Sequence, residues 1–113
     1  MPFIDCKISK KLTEEEKESI KSELGRIIGI LNKPESYLMV GIDDGYTLYF
    51  GGKKLENGAY VSVSLFGTAS AEACGRTTKA VCDMLNKISG VAAENVYVTY
   101  HPVKDWGWNG SDF

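Results

Sequence analysis

The stretch PFIDCKISKKLTEEEKESI (residues 2–20) changes its period half-way, and that change decides the fold. Up to Ile8 the apolar residues alternate, with Ile4, Cys6 and Ile8 on one face, as in a half-buried strand. From Thr13 the pattern becomes helical. Thr13 with Glu16 three residues later is a capping box, and Glu14 and Glu15 suit the positive end of a helix dipole. Ile20, Leu24, Ile27, Ile28 and Leu31 then recur at helical spacing, which predicts an amphipathic helix over 14–31. It ends in LNKPES (residues 31–36), because Pro34 disfavours helix at Lys33.

Working outward, SYLMVGI predicts a second strand over 37–43, and DDGY a turn. Residues 46–50 predict a short third strand, ended by Gly51 and Gly52, and KKLENG a polar loop. AYVSVSLFG alternates and is rich in β-branched residues, so 59–66 is a strand. Cys74, Thr77, Val81, Met84 and Ile88 mark a second helix, closed by Ser89 and Gly90. NVYVTYH predicts a last strand over 95–101, before an aromatic, glycine-broken tail.

The order is strand–helix–strand, a short strand, then strand–helix–strand. Each helix is long enough for a right-handed parallel crossover. KPESYLMV enters the second strand much as AAENVYV enters the last, a structural pseudo-repeat. Two such units give a four-stranded sheet with both helices on one face. The other face is expected to be bare and apolar, with Phe3, Tyr97 and Val61 among its residues, and oligomerisation is the economical way to cover it.

The chain has 113 residues, enough for a single domain over 1–113 with a core that needs no metal or disulfide staple. Its net charge of −2 and pI near 5.4 argue against a nucleic-acid binder, which needs a basic stripe, whereas Lys and Arg are spread along this chain. No apolar run approaches the roughly 20 residues of a membrane span. Asp5, Lys7 and Lys10 stand where a signal peptide would be apolar, so the expected compartment is the cytoplasm. Cys6, Cys74 and Cys82 are read as buried, reduced thiols. His101 is the only histidine and has no ligand cluster around it, so no metal site is expected.

Pro2 admits two readings. Proline is tolerated at the head of a strand, where its missing N–H costs nothing. Loss of Met1 would instead leave a free secondary amine. A solvated amine of this kind titrates above the usual α-amino range, and an apolar pocket or a nearby lysine lowers it. A neutral amine can take a proton from a carbon beside a carbonyl. While Met1 remains, the Pro2 nitrogen is an amide and has no basic lone pair.

MPFI (1–4), NKPESYLMV (32–40), FGG (50–52), SLFG (64–67), NVYVTY (95–100) and GWNGSDF (107–113) follow in order along nearly the whole chain. Together they resemble the macrophage migration inhibitory factor branch of the tautomerase superfamily. The resemblance implies an α+β fold: a βαββαβ subunit whose mixed four-stranded sheet carries two helices on one face. It further implies a homotrimeric barrel around a solvent channel and a cofactor-free keto–enol tautomerase with Pro2 as catalytic base. A phenylpyruvate-like α-keto acid is the substrate expected.

The same resemblance carries over the substrate-binding set. Lys33 would lie beside the proline and hold a carboxylate or polarise a carbonyl; read alone, it is a solvated loop lysine. Phe66 replaces the usual isoleucine, and its backbone N–H would contact substrate oxygen. Tyr97 would reach across from the neighbouring subunit. Thr99 replaces a common asparagine and loses an amide donor. Trp106, Trp108 and Phe113 would form an aromatic rim, with Tyr37 at the entrance. The Cys-x-x-Cys of some members is absent, since Gly58 and Val61 stand there, so no thiol oxidoreductase activity is expected. A signalling protein that binds a host cell-surface receptor through a vestigial pocket, released by a non-classical route, is the alternative function; a purely structural trimeric scaffold is a third.

Overall fold

The computed structural model describes residues 1–113. Strand β1 (Pro2–Ile8) leads into helix α1 (Glu14–Ile27) and then strand β2 (Met39–Asp43). A small hairpin follows, β3 (Tyr49–Phe50) with β4 (Lys53–Lys54). Then come β5 (Ala59–Phe66), α2 (Ala71–Ser89) and β6 (Val96–Val103), and the chain closes with the hairpin β7 (Gly107–Trp108) and β8 (Ser111–Asp112). The main sheet has the order β2–β1–β5–β6. β1 pairs parallel with β2 and β5 parallel with β6, so both helices are the crossovers the spacing predicts. The two units meet antiparallel, with Pro2 opposite Leu65 and Ile8 opposite Ala59.

Alternation sorts each strand into two faces. Ile4, Cys6 and Ile8 on β1 join Ala59, Val61, Val63 and Leu65 on β5 under the helices. From above, α1 contributes Ile20, Leu24 and Ile27, and α2 contributes Val81, Met84 and Leu85. Val61 therefore belongs to the core, against its expected place on the bare face: it shares the phase of Val63 and Leu65 along β5. The bare face is mixed rather than uniformly apolar. Phe3, Met39 and Tyr97 lie on it as expected of an apolar surface, beside Asp5 and Lys7, which form an ion pair, and Tyr60, Ser62, Ser64, Thr99 and His101.

The helix ends are chemically fixed. Thr13 Oγ1 accepts from the Glu16 N–H and Glu16 Oε1 accepts from the Thr13 N–H, both at 3.0 Å, so the predicted capping box is present. Helix α1 stops at Ile27, not Leu31, and Ile28–Leu31 tighten into a 3₁₀ turn. Asn32 then takes the left-handed conformation at φ 58°, which turns the chain toward the sheet and delivers Lys33. The second strand begins at Met39, after a short 3₁₀ turn over Glu35–Tyr37, and the last strand runs on to Val103. The strand expected over 46–50 shrinks to Tyr49–Phe50 and pairs with Lys53–Lys54 rather than joining the main sheet. Gly51 and Gly52, both at positive φ, make its turn. Cys6 is buried, whereas Cys74 and Cys82 are only half-buried, because their positions on α2 lie at the margin of its core stripe.

Candidate active site

Three backbone segments end at one place. β1 begins there with Pro2, β5 ends there with Phe66, and the loop after α1 brings Lys33. Pro2 is buried. Its ring opens the β1–β5 ladder, and the next rung is the Phe66 N–H donating to the Met1 carbonyl at 2.9 Å. Lys33 Nζ donates to the carbonyl of the same Phe66, also at 2.9 Å. Both backbone polar groups of one residue thus face the N-terminus and the lysine. Gly67 follows at φ 87°, and a Cβ there would meet Lys33 Nζ only at an ordinary 4.0 Å, so the left-handed backbone rather than space calls for glycine.

The Met1 amine is held below its ordinary value by partial burial and, second, by the Lys33 ammonium. The same two influences would act on a Pro2 amine in that neighbourhood.

A cleft of about 700 Å³ opens beside Met1 and Pro2, while Lys33 lines a separate hollow with Asn32, Thr68 and Ser70. Pro2, Phe3, Tyr37, Met39, Trp106 and Trp108 are among its walls. An aromatic series continues from it: Tyr37 meets Trp108 edge-on at 5.8 Å, Trp108 stacks on Phe113 at 6.1 Å, and Phe113 lies 5.7 Å from Phe66. The closing hairpin holds this series. Asn109 and Gly110 turn it at positive φ, and the Phe113 N–H donates to the Trp106 carbonyl at 3.0 Å. A groove of similar size between α1 and α2 is lined mainly by charged side chains such as Glu18, Glu23, Arg26 and Asp83. Glu23 and Arg26 already pair there, so it lacks the apolar walls with few convergent polar groups that mark a small-molecule site.

Pro2, Lys33, Phe66, Tyr37, Trp106, Trp108 and Phe113 therefore gather in one region of one chain. Tyr97 and Thr99 do not. Tyr97 pairs in register with Tyr60, whereas Pro2 pairs with Leu65, which separates them by about 17 Å along β5. Tyr97 is 63% exposed and packs on Phe50 at 5.1 Å. Thr99 Oγ1 lies 2.8 Å from the Tyr60 hydroxyl and 2.9 Å from His101 Nε2, so its hydroxyl is engaged on the open sheet face. Ser64, Met39 and Val103 line the cleft without having been singled out in the sequence. Register could have found Ser64 and Met39, since both lie directly opposite Phe3.

A family model described as macrophage migration inhibitory factor (MIF) matches residues 1–113. The chain belongs to the macrophage migration inhibitory factor family. Among MIF relatives, the macrophage migration inhibitory factor homolog of Trichuris trichiura is 30% identical over 96 residues, 83% of each chain. The homolog of Trichinella spiralis is 28% identical and aligns over the whole of both chains. The crystal structure of MIF2 from Leishmania major superposes with a TM-score of 0.93 at 30% identity, over 100% of this chain and 97% of that one. MIF membership sets the fold expected from the motifs and places the chain in the tautomerase superfamily, whose general chemistry is isomerisation.

Proposed function

We propose that this MIF-family chain is a cofactor-free keto–enol tautomerase acting on aryl-substituted α-keto acids such as phenylpyruvate. One observation carries the reading: Phe66 is hydrogen-bonded through its N–H to the Met1 carbonyl and through its carbonyl to Lys33, at the N-terminal edge of an aromatic-walled cleft that Met1 and Pro2 line. With Met1 gone, the Pro2 nitrogen is a secondary amine in partly apolar surroundings beside a cation. Both features favour its neutral, basic form. It takes the proton from the carbon next to the ketone, the electron pair shifts to oxygen, and a proton returned to that oxygen gives the enol. The reverse order gives ketonisation.

Lys33 pairs with the carboxylate, and the Phe66 N–H donates to substrate oxygen. The Tyr37, Trp106 and Trp108 walls receive the ring. In a homotrimer, Tyr97 of a neighbouring subunit completes the site, which accounts for a cleft and a tyrosine at opposite ends of the sheet within one chain. Thr99, already engaged with Tyr60 and His101, has a subsidiary part.

The test is ketonisation of phenylpyruvate enol by protein whose N-terminal mass places Pro2 first. The expected result is a rate well above buffer that is lost when the amine is acylated. No acceleration by the free-Pro2 protein would overturn the assignment.

A further inference from the structure

We infer that Met1 is a built-in occupant of the pocket, so that its removal vacates a hydrogen-bond donor as well as releasing an amine. The argument rests on the ladder. Pro2 lies opposite Leu65, so Met1 lies opposite Phe66, and the Met1 carbonyl takes the Phe66 N–H at 2.9 Å as the final rung. Met1 also lines the cleft with Trp106 and Trp108. An acyl oxygen on the Phe66 N–H is the position assigned above to substrate oxygen, so this inference builds on the tautomerase reading.

Hydrolysis of the Met1–Pro2 bond by an aminopeptidase consumes one water. The hydroxyl goes to the Met1 carbonyl carbon, which leaves as free methionine, and the hydrogen goes to the Pro2 nitrogen. Two consequences follow from that single cut. The amide nitrogen becomes a base, and the Phe66 N–H loses the only backbone acceptor it has in the ladder. A sheet normally pairs such a donor, and one left open beside a cleft is ready for an incoming carbonyl. Lys33 stays on the other side of Phe66, held by the carbonyl that the cut does not touch. The unprocessed chain is thus closed to ligand binding as well as to proton transfer.

The experiment compares full-length chain carrying Met1, released from an N-terminal fusion, with the same chain after methionine aminopeptidase treatment. Phe66 amide hydrogen exchange is read by NMR without ligand. Each form is then titrated with benzoylformate, an α-keto acid that has no proton on the carbon beside its ketone and so binds without reacting. The expectation is that Phe66 exchange accelerates by about tenfold when Met1 leaves, the scale of one backbone hydrogen bond, and that only the shortened form binds. Benzoylformate should restore the lost protection. Equal Phe66 exchange in the two forms, or binding of benzoylformate by both forms with the same affinity, would overturn the inference. Accelerated exchange with no binding to either form would uphold the vacated donor and sink the α-keto acid reading.

Discussion

Lys33 Nζ is bound to the Phe66 carbonyl at 2.9 Å, across 33 residues of sequence and from a different strand–helix–strand unit. This contact is a seam between the halves of the pseudo-repeat. It fixes the ammonium beside the N-terminus of β1, where a charge matters both to an anion and to a neighbouring amine. Lys33 is half-buried, so the charge is only partly screened by water.

Lys33→Ala should chiefly raise KM for phenylpyruvate and leave a neutral phenylpyruvate ester little changed. Loss of a charge-assisted hydrogen bond costs about 1.5–3 kcal/mol, or roughly ten- to a hundredfold. Steady-state kinetics on the acid and the ester check it. Equal losses on both would remove the carboxylate from the lysine's role.

An alanine added ahead of Pro2 turns its nitrogen into a tertiary amide while the ring still heads β1. Turnover should fall by about 10²–10⁴-fold with unfolding unchanged, since one general base is worth that much. A wild-type rate in the extended protein would put the base elsewhere.

The separation of Tyr97 from Pro2 makes a mixing experiment decisive. A Pro2-blocked chain and a Tyr97→Ala chain are each expected to be nearly inactive. Co-refolded in equal amounts, they should recover about a quarter of the wild-type activity if each site draws Pro2 from one subunit and Tyr97 from its neighbour. Light scattering should report three copies per particle. No recovery in mixed trimers would return Tyr97 to plain packing with Phe50.

Burial, with the Asp5 charge second, pushes the Cys6 thiol up to about 12. An unfolded cysteine ionises near 8.5. Above that value the unfolded chain sheds a proton that the folded chain keeps, so stability contributed by this group is complete at neutral pH and declines as pH rises. From about pH 8 to about pH 10 the decline should be about 2 kcal/mol. Urea unfolding of wild type and Cys6→Ala at both pH values isolates it, because other titrations cancel in the difference. Parallel curves would show that Cys6 ionises in the folded state.

Tyr100 ties β6 to α2. Its hydroxyl donates to the Cys74 carbonyl at 2.9 Å and lies 2.8 Å from Thr78 Oγ1. Tyr100→Phe should destabilise the fold by about 1 kcal/mol, and Thr78→Ala added to it should cost less than its effect alone. Denaturant midpoints measure both.

Much of this architecture is legible in the sequence because burial writes periodicity. Ile4, Cys6 and Ile8 must point one way, and Thr13 with Glu16 announces where the period changes. The errors have equally physical causes. Residues 46–50 carry strand-forming side chains, but side chains do not name a partner strand, and Lys53–Lys54 hid the actual one behind charge. Apolarity alone does not assign Val61 a face, whereas its phase along β5 sets it with Val63 and Leu65. The motifs gathered Pro2, Lys33 and the aromatic residues in advance. The Met1–Phe66 rung was invisible, because register depends on how loops close and leaves no mark on either residue.

In the role proposed for it, Pro2 would differ from most proton-transferring groups in how it is attached. A histidine or glutamate hangs from its backbone by two or three rotatable bonds, and each must be immobilised before the group can act, at a cost in rotamer entropy. The Pro2 nitrogen is the backbone itself, closed in a five-membered ring at the end of the β1–β5 ladder. No torsion lies between it and the sheet. Its aim is thus inherited from the register of the strands, and a core substitution that shifts β1 against β5 would misdirect the proton without touching a single residue of the cleft.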